Sequence, residues 1–168
     1  MTIAVNVSPV QIRRDDLPGR VRQVLRKTGL PAAALELEIT ESLMMGEDTQ
    51  ALETLSALKA IGIKLAIDDF GTGYSNLAYL KRFNVDRLKI DQSFVRNIDS
   101  KPDAAAIVNA VIVMGRQLGL NTLAEGVETE AERDALRTAG CDDIQGYLLG
   151  KPMPAEAIDA LLKAPPRA

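Results

Sequence analysis

The sequence of 168 residues contains no histidine, no tryptophan and a single cysteine. Without histidine the chain has neither a histidine-ligated zinc site nor a histidine-dependent catalytic triad. Because Cys141 has no partner within the chain, an intramolecular disulfide is excluded and a reducing, cytoplasmic location is expected. Any bound metal would be held by carboxylate and amide oxygens, which suit Mg²⁺, Mn²⁺ or Ca²⁺.

Long apolar runs and a large net charge are also absent. No apolar run approaches the roughly 18 residues that cross a bilayer, and no signal-peptide pattern opens the chain, so we expect no membrane insertion. The net charge of −3 gives no electrostatic case for a nucleic-acid polymer as partner. If the substrate carries phosphate, bound metal must supply positive charge locally. Hydrophobic residues at 46% and charged residues at 26% are typical of a folded globular domain.

Strand patterns alternate with helix patterns along the chain. We predict strands at TIAVNVS, LELEIT, KLAIDDF, RLKID, NTLAEGV and DIQGYLLG. Helices are predicted at 18–27, 51–61, 77–83, 107–118, 129–140 and 154–162. Thr129 and Glu132 have the spacing of a capping box for the fifth helix. Such alternation implies parallel strands joined by right-handed crossovers, because each intervening helix returns the chain to the same direction.

A polar or charged residue stands at or near the C-terminal end of every predicted strand. These residues are Asn6, Glu38 with Glu41, Asp68 with Asp69, Lys89 with Asp91, Glu125 with Glu128, and Gln145. An open doubly wound sheet gathers ligands at one switch point and would need only a few such ends. Polar residues at all six strand ends instead indicate that the ends face a common centre, as at the C-terminal mouth of a (β/α) barrel.

A complete barrel has eight strands and about 250 residues, which is more than this chain provides. We therefore predict an α/β fold, an incomplete (β/α)8 TIM-type barrel with about six parallel βα units. Residues 1–163 are assigned to this domain and residues 164–168 to a frayed tail.

The segment AIDDFGTGYSNL joins two adjacent carboxylates, Asp68 and Asp69, to two closely spaced glycines, Gly71 and Gly73. Neighbouring residues of a strand point to opposite faces, so this pair can share one cation only where the strand ends. We interpret the segment as a strand end followed by a mobile loop. The alternative is a plain turn, because aspartate and glycine are common turn residues.

Together these residues form an oxygen-rich site with one lysine. Two hard cations about 3.5 to 4 Å apart, held by carboxylates from different strands, polarise a phosphodiester and activate a bridging water. Lys89 could orient that water, although a salt bridge with Asp91 or another carboxylate would also explain it. For the remaining carboxylates the alternative is a solvated position, which clustered like charges disfavour unless a cation holds them. An enolase-type proton abstraction with a lysine base stays open at this point.

Six ordered motifs spread over the chain resemble those of the EAL family. They are VNVS at 5–8, LEITES at 37–42, IDDFGTGYSNL at 67–77, LKID at 88–91, AEGVET at 124–129 and QGYLLGKP at 145–152. That family comprises bacterial cyclic di-GMP phosphodiesterases with a modified (β/α)8 barrel. The resemblance implies a two-metal hydrolysis of one phosphodiester of cyclic di-GMP to linear pGpG, with Mg²⁺ or Mn²⁺.

The resemblance also implies roles for individual residues. The first metal would be bound by Asn6, Glu38 and Asp68, and Asp68 would bridge to a second metal held by Asp69 and Glu125. Lys89 would contact the catalytic water, so that catalysis depends on Lys89, Glu125 and Asp69.

Other residues would support the site. They are Glu41, which would anchor the loop after Asp69, the loop glycines Gly71 and Gly73, and Asp91, Glu128 and Gln145. In the family this loop and the helix after it link metal binding to dimerisation, so a homodimer is expected. Asn76 stands in this loop where the family more often has serine, which is a mild departure.

A larger departure lies at the N-terminal side, where no Glu-Ala-Leu motif precedes Asn6. In the family this motif lies on the first strand, and its glutamate is a ligand of the first metal. We therefore expect the chain to lack the first two strands with their helices, as a fragment or through an internal start. Such a remnant would have two open edges, a weakened first metal site and impaired turnover. The alternatives are an inactive module that binds cyclic di-GMP or dimerises, and a fragment without an independent role.

Overall fold

Six parallel strands lie side by side in the order in which they occur along the chain. The computed structural model describes residues 2–14, 16–41, 43, 49–73, 80 and 82–163. The strands are β1 (Ile3–Val7), β2 (Leu35–Thr40), β3 (Lys64–Phe70), β4 (Arg87–Ile90), β5 (Asn121–Ala124) and β6 (Asp143–Ile144). Each strand pairs in parallel with the next, and the sheet curls into a half-barrel. This confirms the predicted incomplete TIM-type barrel.

Helices connect the strands on the outside of the sheet. Those with bounds within the described residues are α1 (Pro9–Arg14), α2 (Leu17–Thr28), α3 (Thr49–Ile61), α4 (Gln92–Val95), α5 (Pro102–Leu118), α6 (Glu130–Ala139) and α7 (Ala155–Lys163). The sequence prediction lacks α1 and α4, because each is too short to show an apolar period. Most of the helix predicted at 77–83, and all of the tail at 164–168, lie outside the described residues. None of the described helices is long and apolar enough to cross a bilayer.

The last two strands are shorter than the predicted ones. β6 ends at Ile144, and the chain then leaves the sheet to bind the loop after β5, where Leu148 N donates to Val127 O at 3.0 Å. β5 ends at Ala124, because Gly126 adopts a left-handed conformation with a φ of 70°. The apolar residues of both predicted strand ends therefore belong to loops that cover the C-terminal edge of the sheet.

The strand register places the charged residues on the inner face of the half-barrel. Glu38 pairs with Asn6 on one side and with Ala66 on the other, while Lys89 pairs with Leu123. Side chains alternate along a strand, so the residues between these positions point outward, toward the helices. The outward side chains form an apolar core and are 4% exposed or less: Leu37, Ile39, Leu65, Ile67, Leu88 and Ile90.

The sheet has two open edges within the described residues, because β1 pairs only with β2 and β6 only with β5. On β1, Ile3 and Val5 are exposed apolar side chains. On α7, at the C-terminal side, Ile158, Leu161 and Leu162 are exposed as well. The apolar surface at both ends agrees with the open edges that the sequence predicts.

Helix α5 packs closely on β5 through Gly115. A methyl group at this glycine would lie 2.8 Å from Thr122 Cγ2, well inside van der Waals contact. Thr122 is buried, and its hydroxyl donates to Asp142 Oδ2 at 2.9 Å, so its side chain is not free to rotate away. The close approach of helix and strand therefore requires glycine at this position.

We expect Gly115→Ala to destabilise the protein by about 1 to 3 kcal/mol through overpacking, although the same change in an open helix stabilises by about 1 kcal/mol. Thr122→Ser removes Cγ2 and keeps the hydroxyl, so it should restore most of the loss in the double variant. Urea unfolding of both single variants and the double variant measures this coupling. Equal destabilisation by Gly115→Ala with and without Thr122→Ser would contradict the contact.

Candidate active site

The ammonium group of Lys89 lies at the centre of three carboxylates. Its Nζ donates to Glu38 Oε1 at 2.8 Å, to Asp68 Oδ1 at 2.8 Å and to Glu125 Oε1 at 2.9 Å. The four side chains come from β2, β3, β4 and the position after β5, and the Lys89 side chain is only 4% exposed. Lys89 therefore forms ion pairs with the same carboxylates that were predicted to bind metal, so the two interpretations of Lys89 do not exclude each other.

Burial and charge act in opposite directions on this cluster. Burial alone would lower the pKa of Lys89, but its hydrogen bonds to the three carboxylates outweigh burial and raise the pKa above its ordinary value. Burial raises the pKa of Glu125; the hydrogen bond and charge of Lys89 oppose this rise, and the neighbouring carboxylates add to it. Lys89 therefore stays charged at neutral pH.

Asp68 and Asp69 turn toward one site at the end of β3. Asp69 has a φ of 54°, a left-handed conformation that is uncommon for residues other than glycine. The register of β3 against β4 also shifts between Ile67 and Phe70. This break in the alternation brings one carboxylate oxygen each of Asp68, Asp69 and Glu125 to within 4.8 Å of one another. A plain turn does not account for that convergence.

Three carboxylates at this spacing fit a hard divalent cation. Carboxylate oxygens are preferred ligands of Mg²⁺, Mn²⁺ and Ca²⁺, and the chain has no histidine that would favour zinc. Burial and the charges of Asp68 and Asp91 raise the pKa of Asp69, and the charge of Lys89 opposes this rise only in part. Asp68, Asp69 and Glu125 are therefore the strongest candidates to hold a metal among the described residues, with Glu38 beside them.

Asn6 stands at the border of this cluster. It is an exposed residue of β1 and pairs in register with Glu38 of β2. Paired residues of neighbouring strands share a face of the sheet, so Asn6 lies on the inner face next to Glu38. The structure thus brings the predicted first-metal ligands to one side of the sheet.

The loop after Asp69 is bound by Glu41. Glu41 Oε2 accepts a hydrogen bond from Gly71 N at 3.1 Å, and a methyl group at Gly73 would lie 3.0 Å from Glu41 Oε1. Gly71 has a φ of 97°, which residues with a side chain rarely adopt. The buried Glu41 carboxylate therefore lies where the loop anchor was expected. Residues 74–79, which include Asn76, lie outside the described part of the chain.

A cleft of about 320 Å³ adjoins the cluster at the C-terminal ends of the strands. It gathers five predicted site residues: Asp69, Asp91, Glu125, Glu128 and Gln145. Five further residues line it that were not predicted from the sequence: Gln92, Arg96, Gly126, Gly146 and Tyr147. All of these except Arg96 lie within or beside the motifs quoted above, and that position could have identified them as site residues. Arg96, which brings a positive charge to an acidic cleft, had no such signal.

Asp91 has a second task as the cap of α4. Its Oδ1 accepts a hydrogen bond from Ser93 N at 2.9 Å. Burial would raise the pKa of Asp91, but the hydrogen bonds from Ser93 and a further one with Asp69 outweigh burial and lower it. Asp91 is therefore a charged neighbour that supports the position of Asp69.

A larger cleft, of about 450 Å³, lies at the opposite end of the strands. The charged inner-face residues that line it are Glu36, Lys64 and Arg87. Arg87 pairs there with Asp143 at 2.8 Å and more loosely with Glu36 at 3.5 Å. Barrel enzymes carry their active sites at the C-terminal ends of the strands, and the carboxylate cluster lies at that end. We therefore place the candidate active site there.

A family model for the EAL domain matches residues 1–152 of the chain. The chain belongs to the EAL domain family. The bifunctional diguanylate cyclase/cyclic di-GMP phosphodiesterase MucR of Pseudomonas aeruginosa is 47% identical over 156 residues, which are 93% of this chain and 23% of MucR. The cyclic di-GMP phosphodiesterase NbdA of the same organism is 42% identical over 164 residues, which are 98% of this chain and 21% of NbdA. The chain thus spans about a fifth of the length of these relatives.

Solved EAL structures share the fold of this chain. The PaMucR phosphodiesterase in complex with c-di-GMP has a TM-score of 0.88 at 46% identity, and the match covers 94% of this chain and 64% of that one. The EAL domain of Mycobacterium smegmatis DcpA has a TM-score of 0.91 at 43% identity, covering 96% and 73%. The manganese/cy-diGMP complex of Klebsiella pneumoniae BlrP1 has a TM-score of 0.81 at 37% identity, covering 88% and 38%. EAL structures therefore bind a divalent metal and the cyclic dinucleotide.

We expect Lys89→Met to destabilise the metal-free EAL chain by about 3 kcal/mol, because three largely buried carboxylates lose their shared cation. Without the ammonium, the hydrogen bond and charge that oppose the rise in the pKa of Glu125 are lost, so this pKa in the folded state rises further above that of the unfolded chain. Protonation then favours folding, so the loss should be full at about pH 8 and shrink toward about pH 5. Urea unfolding in the presence of a chelator, repeated across this range, measures the effect.

Lys59→Met is the matched control for that variant. Lys59 pairs with Asp86 at 2.6 Å, outside the cluster and at a more exposed position. Its loss should cost less, because it leaves one carboxylate rather than three without a cation. A Lys89→Met chain as stable as the wild type at about pH 8 would contradict the assigned role of the ammonium.

Proposed function

We propose that this EAL chain hydrolyses one phosphodiester bond of cyclic di-GMP to linear pGpG in a reaction that depends on Mg²⁺ or Mn²⁺. The observation that carries the proposal is the convergence of Asp68, Asp69 and Glu125 within 4.8 Å, beside the buried Lys89. The relatives support the choice of substrate, since MucR and NbdA are named as cyclic di-GMP phosphodiesterases.

The carboxylates of the cluster have the chemistry of metal ligands. Asn6, Glu38 and Asp68 would hold a first metal, and Asp69 and Glu125 would hold a second metal that shares Asp68. The chemistry that bound Mg²⁺ or Mn²⁺ would supply is polarisation of the phosphodiester and a lower pKa of a water. The manganese complex of BlrP1 supports this choice of ion over zinc, as does the absence of histidine here.

Lys89 would have two tasks in this reaction. It holds the carboxylates at a fixed spacing, and it presents a positive charge to the attacking water. An ammonium group has three N–H donors, and all three are given to carboxylates in this structure. Contact with the water therefore requires one carboxylate to turn from Lys89 toward its metal-binding position.

The cleft beside the cluster would receive the substrate. Arg96 brings a positive charge that can attract a phosphate group, and Asp91, Glu128 and Gln145 would support the metal-binding residues from the cleft wall. Glu41 would keep the loop after Asp69 in place through its bond to Gly71 N. Each of these side chains lies on a segment that follows a strand of the half-barrel.

We also propose a homodimer that uses the loop and helix after Asp69, although residues 74–79 and 81 of this region lie outside the described part of the chain. Light scattering of the purified protein should give the mass of a dimer. A monomer at all concentrations would contradict the proposal. A cytoplasmic location stays a prediction.

Asp68→Asn and Glu125→Gln should each lower turnover by at least about 100-fold, because each removes the charge of a metal ligand while keeping its size. The measurement is chromatographic detection of pGpG after incubation with cyclic di-GMP and excess Mn²⁺. Asp103→Asn and Glu130→Gln are the matched controls. Both carboxylates are exposed and lie in the first turn of a helix, so these variants should keep the wild-type rate.

The outcomes separate the candidate functions. Unchanged turnover in Asp68→Asn and Glu125→Gln would show that the reaction takes place elsewhere. Calorimetric binding of cyclic di-GMP by the wild type without any product would favour the receptor or regulatory module. Neither binding nor product would contradict both functions for this chain.

A further inference from the structure

Glu132, near the start of α6, is a buried carboxylate that the proposed reaction does not use. Its Oε2 accepts hydrogen bonds from Glu128 N at 2.9 Å and from Thr129 N at 3.1 Å, and its Oε1 accepts one from Asn97 N at 3.1 Å. Burial alone would raise the pKa of Glu132, but these backbone bonds outweigh burial and lower it. A charged, largely desolvated side chain is therefore held by three N–H groups.

The two carboxylate oxygens bind different parts of the chain. Oε2 completes the capping box, in which Thr129 Oγ1 accepts a hydrogen bond from Glu132 N at 3.2 Å. Oε1 reaches Asn97, which lies 35 residues earlier in the segment after α4. Helix capping needs only Oε2, so the bond from Asn97 is an additional link.

The linked segments both carry residues of the candidate active site. The segment that ends at Asn97 begins at Asp91, directly after β4, the strand that carries Lys89. The stretch that ends at Glu132 begins with Glu125, directly after β5, and comprises the loop after β5 and the start of α6. Glu132 therefore closes a bridge between the two loops at the ends farthest from their strands.

The same two loops also touch close to the strands. Glu125 N donates to Ile90 O at 3.1 Å. A methyl group at Gly126 would lie 2.5 Å from Gln92 Cβ, so the backbones meet without a side chain between them. With contacts at the near end and Glu132 at the far end, the separation of the loops has little freedom.

We propose that Glu132 is a positioning residue, which ties the segment after β4 to the loop after β5 and thereby fixes the place of Glu125 relative to Lys89 and Asp91, the contacts of Asp68 and Asp69. The inference rests on the proposed function, because it concerns the same metal site. Without the tie, Glu125 would lose its fixed place relative to the β3 carboxylates. Loss of such an outer hydrogen-bond partner typically weakens metal binding by about 10- to 100-fold.

Glu132→Ala and Thr129→Ala form a matched pair. Each removes one half of the capping box, so both should lower Tm, but only Glu132→Ala cuts the bond from Asn97. We expect Glu132→Ala alone to weaken Mn²⁺ binding in calorimetry by at least about 10-fold. It alone should also speed hydrogen exchange of the Asn97 amide by about 10-fold. Glu132→Gln keeps one acceptor oxygen and should recover part of the affinity.

Equal Mn²⁺ affinity in the wild type and Glu132→Ala would overturn the proposal and leave Glu132 as a helix cap. An equal loss of affinity in Thr129→Ala would also overturn it, because general destabilisation would then suffice. If Glu132→Ala does not fold, weaker binding by Glu132→Gln than by Thr129→Ala supports the tie, and binding that is no weaker overturns it. A wild type that binds no Mn²⁺ would overturn both the proposed function and this inference. The wild-type titration therefore distinguishes a failure of the proposed function from a failure of the role of Glu132 alone.

Discussion

One ammonium group bound to three carboxylates is the interaction on which the inner face of the half-barrel depends. Three negative side chains, on β2, on β3 and directly after β5, repel one another, and burial increases that repulsion. Lys89 supplies both the charge and the three N–H donors that offset it. The strand alternation that turns these groups inward also turns the apolar residues outward, so that the site and the core share the same strands.

The parts of the structure that depend on local pattern could be predicted from the sequence. β2 and β3 have the bounds of LELEIT and KLAIDDF, because both segments have the length of a strand and lie between a helix stop and a polar strand end. β6 was predicted too long, since apolar loop residues that cover an edge resemble a strand. Two features could not be predicted: the left-handed φ of Asp69, and the contact of Lys89 with three carboxylates. Both depend on the curvature and register of the whole sheet, which no short segment of sequence determines. Likewise, the spacing from Thr129 predicts Glu132 as a capping residue, whereas the hydrogen bond that Glu132 accepts from Asn97 cannot be predicted from a local pattern.

The loops at the C-terminal ends of the strands bind one another as well as the sheet. Gly146 lies so close to the loop after β5 that a methyl group there would meet Val127 O at 2.2 Å. Gln145 N donates to Ala124 O at 2.8 Å, and Glu41 binds the backbone at Gly71. Metal-binding and catalytic side chains need a geometry that varies by only about half an ångström, and interlocked loops supply that rigidity where isolated loops would not.

A sheet whose strand order equals its chain order has a consequence for how the molecule opens. Within the described residues, each βα unit is paired with the units next to it in the chain, much as in a repeat protein, so fraying can start at β1 or at β6 without involving β3 and β4. β3 and β4 are the two central strands, and they carry Asp68 and Lys89. Local unfolding that starts at either edge therefore reaches Asp68 and Lys89 last.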